Sequence, residues 1–436
     1  MKKVLIITYY WPPAGGGGVQ RWVKFVKYLR DFGWEPIVFT VEGGSYPILD
    51  ASLENEIPEG IEVIKSPIFE PYGWYNKMLG KGKNERVAAN FLSEGKKLGW
   101  KDRFAVWIRG NFFIPDARAF WVKPSIRLLD QYLVDHRIDV MVSSGPPHSC
   151  HLIAYGIKKK HDLPWIVDYR DPWTQIDYFN DLGLTKWARN RHISLEKKVL
   201  NGCDIIVTVG KTMAEDLISI TKNRSEVITN GFDDADRANA ETKLDAEFTI
   251  TYIGTMNDAR NPLVLWEVLS QLKKENHPLI HKIKVKLIGK PEQLVKDSIQ
   301  KYEITELIEF CGYVPHKEAI QYQNSARILL LIINRTSNNK SILTGKIFEY
   351  IASGRPILCI GPADGDAAAI LDEADCGCIF DYEDTVGIRK YLVDAYNGYL
   401  NNDNLQSLSS VEVYSRKNLT KKLAELLNEI SKKIKY

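Results

Sequence analysis

The sequence lacks an apolar run of the ~18 residues that a membrane-spanning helix needs. Its first apolar segment, Val4–Thr8, is too short for a signal peptide, and Tyr9-Tyr10-Trp11 follows where a cleavage site needs small residues. The six cysteines are scattered, and Cys376-Gly377-Cys378 has no second pair to complete a zinc site. We therefore expect a cytosolic protein with structural thiols, in which any membrane contact is made by the surface.

A strong charge of one sign is also absent. The 58 Lys and Arg residues are balanced by 55 Asp and Glu residues, which leaves a net charge of +3. This balance argues against a nucleic-acid-binding protein. The sequence has no short repeats and no low-complexity tract, and its 436 residues with 44% hydrophobic content favour two globular domains.

Short apolar segments alternate with helical patterns through both halves of the chain. In the first half the strand-like segments are 4–8, 36–40, 139–143, 165–168, 204–209 and 226–228. In the second half they are 248–253, 283–288, 328–333 and 356–360. Continuous apolar strands separated by helices predict parallel sheets that are covered on both faces. We predict an α/β fold with two tandem Rossmann-like, doubly wound domains at 1–235 and 236–412, followed by a helix at 413–436.

Residues 67–124 do not follow this alternation. Aromatic and basic residues are interleaved in this insertion, and they include Trp74, Trp100, Trp107, Phe112, Lys96, Lys97, Lys101, Arg103 and Arg109. One interpretation is a surface that docks on an anionic membrane or covers a bulky acceptor. The other is a helical excursion that buries its aromatic rings and leaves its lysines in water.

The segment Thr344–Ile357 is the most informative in the chain. Thr344 is a suitable N-cap for a short helix starting at Gly345, and Gly354 is suited to ending it. A ribose explains a glutamate within this apolar helix, because the Glu349 carboxylate can accept hydrogen bonds from both ribose hydroxyls. The helix N-terminus and Lys346 would then lie near a diphosphate.

On the basis of these residues, the sequence resembles the family 4 type of retaining glycosyltransferases, which have the two-domain GT-B fold. In that family a helix glutamate holds the donor ribose and is followed by Ala-x-Gly-x-Pro, as Glu349 is here by Ala352, Gly354 and Pro356. The glycine-rich loop after the first strand and Asn230–Asp233 also match. The resemblance implies a cleft between the domains and a C-terminal helix that crosses back to the N-terminal domain.

The resemblance also implies the reaction. A sugar would pass from a nucleotide-diphosphate sugar to an acceptor hydroxyl with retention, in polysaccharide or glycolipid assembly. The acceptor would be a saccharide or a lipid-linked saccharide, and neither a cofactor nor a metal would be required. Two alternatives stay open, namely a nucleotide-sugar 2-epimerase and a non-catalytic subunit that binds a nucleotide sugar.

Two positions depart from the family pattern. The family's first glutamate, eight residues before the ribose ligand, is Ser341 here. The arginine that follows the glycine after the first strand of the second domain is also missing, because Gly254 is followed by Thr255. The resemblance then assigns the diphosphate to Arg260, Lys346 and backbone amides, with Lys340 as a further candidate.

In the first domain, the loop Gly15–Gly18 does not meet the dinucleotide-binding fingerprint. It is either a tight flexible turn or a loop in which Gly16, Gly17 and Gly18 approach the donor phosphate. In the family a histidine near Ser143–His148 lies beside the reacting sugar, and His148 matches best by order.

His151 is the second candidate for that histidine. Asp171 follows another strand and precedes Pro172, so it is held extended and predicted to face the ligand. A structural ion pair between Arg170 and Asp171 is the alternative. The candidate catalytic residues are therefore His148, Asp171, Arg260 and Lys346.

Overall fold

The computed structural model describes residues 1–68, 100–233, 237, 243–401 and 411–432. The chain divides into two compact units. The first comprises Met1–Thr229 and Arg416–Tyr436, and the second comprises Asn230–Ser415.

The first unit is built on a parallel sheet. Its strands are β1 (Lys2–Ile7), β2 (Trp34–Glu42), β3 (Glu62–Pro67), β4 (Val140–Gly145), β5 (Trp165–Tyr169), β6 (Ile205–Thr208) and β7 (Ser225–Val227). They are ordered β3-β2-β1-β4-β5-β6-β7. Because the order reverses between β1 and β4, the loops after these two strands diverge and leave a crevice at the carboxyl edge of the sheet.

Helices cover both faces of this sheet. They are α1 (Gly17–Leu29), α2 (Trp100–Phe112), α3 (Val122–Asp135), α4 (Ser149–His161), α5 (Lys186–Gly202) and α6 (Lys211–Ile218). β4 and β5 are buried along their whole length, since side chains on both strand faces enter one of two apolar clusters. This accounts for their unbroken apolar sequences.

The second unit repeats the architecture with six parallel strands. They are β8 (Phe248–Ile253), β9 (Ile283–Ile288), β10 (Ile308–Gly312), β11 (Ile328–Ile332), β12 (Ile357–Ile360) and β13 (Gly377–Phe380). Their order is β10-β9-β8-β11-β12-β13, with the reversal between β8 and β11. The helices are α7 (Leu263–Lys274), α8 (Gln293–Lys301), α9 (His316–Ser325), α10 (Gly345–Ser353), α11 (Asp366–Glu373) and α12 (Thr385–Leu400).

The last helix of the chain belongs to the first unit. A short 3-10 segment, Val411–Tyr414, precedes α13 (Arg416–Ser431), so the helix starts later than residue 413. Leu423 and Leu427 of α13 are buried in the same apolar cluster as Val23 of α1. α13 therefore packs beside α1 on one face of the first sheet.

The predicted fold class of two Rossmann-like parallel-sheet domains is confirmed, but three strands were not predicted. β3, β10 and β13 all lie at sheet edges. An edge strand has a neighbour on one side only and is less buried, so its sequence need not carry the continuous apolar run that marks a central strand. Of the aromatic and basic insertion, 69–99 lies outside the described residues, and the remainder includes α2.

Candidate functional site

In the second unit, α10 begins at the carboxyl edge of the sheet, in the segment that follows β11. Thr344 is its N-cap with an extended backbone, and Gly354 ends it with a positive φ of 66°. The Thr344 side chain makes no capping hydrogen bond, contrary to expectation, and its Oγ1 is buried without a partner in the described structure. An α-helix leaves its first amides without partners inside the helix, so the start of α10 is suited to an anionic ligand.

Lys346, in the first turn of α10, lies against the end of β8. Its Nζ is 4.9 Å from the centroid of the Tyr252 ring. It also lies 2.2 Å from the place where a Cβ on Gly254 would stand, and Gly254 has a φ of +125°. A side chain at Gly254 would therefore displace the ammonium group and strain the backbone.

Arg260 brings a second cation to the same place. Its Nε donates to Oδ1 of Asn334, two residues beyond β11, at 2.7 Å. Burial and, to a smaller extent, the positive charge of Arg260 together lower the pKa of Lys346 to about 8, while Glu349 opposes the shift. Two neighbouring cations at a helix N-terminus form a site that an anion would stabilise.

Glu349 stands one turn beyond Lys346 on α10 and is half-buried. Its backbone carbonyl accepts a hydrogen bond from Nε2 of Gln323 at 2.7 Å, which fixes this turn of the helix to α9. A carboxylate and a cation one helical turn apart can bind a ligand that carries both hydroxyls and an anionic group.

Two other predicted groups are engaged locally. The Ser341 hydroxyl donates to the carbonyl of Asn338 at 2.9 Å within a short 3-10 turn. Lys340 is exposed and forms an ion pair with Asp364 at 2.5 Å. The geometry therefore groups Lys346 and Arg260, and it directs Lys340 to a different partner.

In the first unit, the glycine-rich loop leads directly into α1. Gly16 is the N-cap and Gly17 is the first residue of the helix. A Cβ on Gly18 would lie 1.5 Å from Nη1 of Arg170, so a side chain here would displace this guanidinium. Arg170 Nη2 also donates to the carbonyl of Pro146 at 2.6 Å, which joins the loops that follow β4 and β5 to the start of α1.

Sequence reasoning missed the ion pair beneath this loop. Arg21 Nη2 lies 2.9 Å from Oδ1 of Asp168, and both side chains are almost fully buried. Asp168 also accepts hydrogen bonds from Trp22 Nε1 at 3.0 Å and Ser144 Oγ at 2.9 Å. The signal in the sequence was Arg21 itself, which falls on the apolar face of α1. A buried charge needs a partner, so this position indicates a buried ion pair.

His148 directly precedes α4 and is 8% exposed. Its ring is stacked on Trp173, with centroids 4.7 Å apart. Burial lowers the pKa of His148 to about 4, so the imidazole is neutral at pH 7.

Asp171, the other candidate catalytic residue of the first unit, is exposed.

His151, the second candidate, is fully buried, and its Nδ1 lies 2.9 Å from the Ser143 hydroxyl. Its ring is also stacked on Tyr169, with centroids 4.9 Å apart. These contacts occupy His151 within the core of the first unit, whereas His148 retains some exposure.

Comparison with known proteins decides the class. Residues 93–236 match the model described as Glycosyltransferase Family 4, and residues 234–429 match that of Glycosyl transferases group 1. The chain carries two glycosyltransferase domains. None of the curated proteins matches it.

Solved structures resemble the chain along almost its whole length. A sucrose-phosphate synthase from Thermosynechococcus elongatus has a TM-score of 0.63 at 12% identity, with 99% of each chain covered. A glycosyltransferase from Rickettsia africae has a TM-score of 0.60 at 14% identity, with 99% of each chain covered. Anabaena HepE in complex with UDP-glucose has a TM-score of 0.59 at 12% identity, with 98% of this chain and 100% of HepE covered. At these identities the likeness shows the fold alone, which is GT-B.

We predict that anion binding by the second unit weakens as the pH rises above about 8, the pKa of Lys346. Binding an anion favours the charged lysine, so its pKa is higher in the complex. The contribution of Lys346 to the affinity should therefore be constant below pH 8 and then fall by up to about tenfold per pH unit. Calorimetry with inorganic pyrophosphate from pH 6.5 to 9.5 measures this.

The control is Lys346→Arg, which stays charged throughout this range. Pyrophosphate also changes its protonation state in this range. Because the introduced arginine stays charged, the pH dependence of the Lys346→Arg variant reports the titration of pyrophosphate alone. An identical pH profile for the variant and the natural protein would contradict a role for Lys346 as the titrating cation.

Proposed function

We propose that the protein is a retaining glycosyltransferase that uses a nucleotide-diphosphate sugar, with the donor bound at the carboxyl edge of the second sheet. The observation that carries this proposal is the grouping of Lys346, Arg260 and the N-terminus of α10, with Glu349 one turn further along. The cations and amides would bind the diphosphate, and Glu349 would accept from the ribose hydroxyls.

The same groups would assist departure of the nucleotide. Negative charge builds on the diphosphate as the bond from the anomeric carbon to the phosphate oxygen breaks, and fixed cations stabilise that charge. The acceptor hydroxyl forms the new bond on the face that the diphosphate leaves, and its proton passes to the leaving phosphate. The transferred sugar is of the hexosyl or a related type in this proposal.

In the first unit, we assign contact with the reacting sugar or acceptor to His148 and Asp171. A neutral imidazole offers one donor and one acceptor to sugar hydroxyls without adding charge. Gly16, Gly17 and Gly18 would present backbone amides to the donor.

We predict that Glu349→Ala weakens donor binding by roughly 1.5–3 kcal/mol, the range for a hydrogen bond to a charged group. This equals roughly a ten- to 150-fold rise in Kd. Calorimetry with a panel of UDP- and GDP-sugars measures the change, starting from whichever donor raises the melting temperature of the natural protein.

The matched control is Glu318→Ala, an exposed glutamate in the first turn of α9. It should leave the Kd unchanged. Equal donor affinities for Glu349→Ala and the natural protein would contradict the assignment of ribose binding to Glu349.

We also predict that the product keeps the anomeric configuration of the donor. Proton NMR of a turnover reaction with a saccharide acceptor reports the configuration directly. Conversion of the donor without any acceptor would indicate an epimerase, and donor binding without turnover would indicate a non-catalytic subunit. Ser341 and Thr255, the two departures from the family pattern, favour the second alternative over the first.

We further propose a peripheral contact with an anionic membrane, where a lipid-linked acceptor in polysaccharide or glycolipid assembly would be found. In α2, the Phe104 and Phe112 side chains are 51% and 70% exposed. Trp107 lies between them, stacked on Phe104 at 6.0 Å and edge-on to Phe112 at 5.9 Å. Arg103 beside them is exposed. No described helix is both long and apolar enough to span a bilayer, so this contact would be interfacial.

We predict that vesicles containing acidic lipids bind the protein at low salt and release it at high salt. Replacing Phe104 and Phe112 with serine should reduce this binding, because interfacial aromatic contact is lost. Cosedimentation measures it, with Val134→Ser, an exposed apolar residue on α3, as control. Lack of binding by the natural protein would contradict membrane docking and leave the insertion as core or as acceptor cover. Lys96 and Lys97 of the insertion lie outside the described residues.

A further inference from the structure

The loop after β5 holds one face of His148. Trp173 in this loop is 3% exposed, and its ring plane makes an angle of 3° with the imidazole. The centroids are 4.7 Å apart, the separation of an offset parallel stack. This stack fixes the plane in which the His148 ring lies.

Trp173 is in turn held by a histidine that is not one of the candidate site residues. Its Nε1 donates to Nδ1 of His192 on α5 at 3.0 Å. Nδ1 is therefore the unprotonated nitrogen of His192, and Nε2 carries the proton toward the carbonyl of Gly110, 3.4 Å away on α2. One tautomer of His192 satisfies both neighbours.

The next residue of the loop is bound to the same face of α5. Thr174 donates through its backbone nitrogen to Glu196 Oε1 at 3.4 Å, and its hydroxyl donates to the other carboxylate oxygen. Glu196 is 1% exposed and lies one turn beyond His192. Two consecutive loop residues, Trp173 and Thr174, are thus anchored by two side chains one helical turn apart.

His148 has no comparable anchor of its own. In the described part of the chain neither of its ring nitrogens makes a hydrogen bond, and its Nδ1 is buried. The backbone beside it is fixed, since Ser149 N donates to Oδ2 of Asp116 at 2.9 Å. The orientation of the ring therefore depends on what it packs against.

We propose that Trp173 and His192 are positioning residues for His148, with His192 fixing the indole and the indole fixing the imidazole. The assignment rests on the proposed function, in which His148 contacts the reacting sugar or acceptor. Burial keeps His148 neutral, since its pKa falls to about 4. A neutral ring in a set orientation presents a defined donor and acceptor to a sugar hydroxyl.

Three variants test the chain of contacts. His192→Leu removes the acceptor for Trp173, whereas His192→Gln keeps a carbonyl to accept and an amide to donate to Gly110. Trp173→Phe keeps a stacked ring and removes the donor. Lys197→Ala, an exposed position on the same helix, is the matched control.

We expect His192→Leu and Trp173→Phe each to lower kcat by about tenfold or more, since small misplacements of a reacting group are costly. The donor Kd should not change. His192→Gln should recover most of the lost rate. The double variant of His192→Leu with Trp173→Phe should be no slower than the slower single variant, because both changes break one interaction.

A second measurement does not need turnover. Long-range proton–nitrogen NMR spectra report the ring signals of His148, which should shift in His192→Leu and return in His192→Gln. Unshifted signals would overturn the positioning role, as would equal rate losses in the Leu and Gln variants. Shifted signals without any transferase activity would instead contradict the proposed function and leave the positioning intact.

Discussion

Placing Lys346 against the backbone of Gly254 is the constraint on which the candidate donor site depends. The ammonium group occupies the volume that any side chain at Gly254 would need. It is half-buried close to Arg260, so its charge is opposed by desolvation and by repulsion, and its pKa falls. An arrangement that is unfavourable in this way becomes favourable when an anion binds, which is why we propose these two cations as the diphosphate ligands.

The first unit also buries charged groups, in this case as an ion pair. Arg21 and Asp168 are both withdrawn from water, and the carboxylate is further satisfied by Trp22 and Ser144. Such a pair adds little net stability, but removing one partner leaves an uncompensated buried charge. Its structural effect is to join α1, β4 and β5 near the reversal of the strand order. Arg170 lies close to this ion pair, against Gly18 and the carbonyl of Pro146.

Most of the predicted strands are buried on both faces. β8 runs from Phe248 to Ile253 and β11 from Ile328 to Ile332, as their apolar sequences indicate. β3 and β10 were missed because edge strands do not need a continuous apolar sequence, whereas β13 was missed although its four residues are apolar. Asn334 and His192 were missed for another reason, since their roles are contacts with residues distant in the chain.

The sequence by itself determined the alternation of elements, the class of fold and the segment around Glu349, because each depends on local periodicity and spacing. Tertiary structure alone decided that Lys340 is engaged elsewhere than Lys346 and Arg260. Lys340 and Lys346 are near each other in sequence, yet Lys340 pairs with Asp364, whereas Lys346 lies near Arg260. The physical reason is that a helix start and the end of a distant strand meet only when parallel strands align their carboxyl ends at one edge.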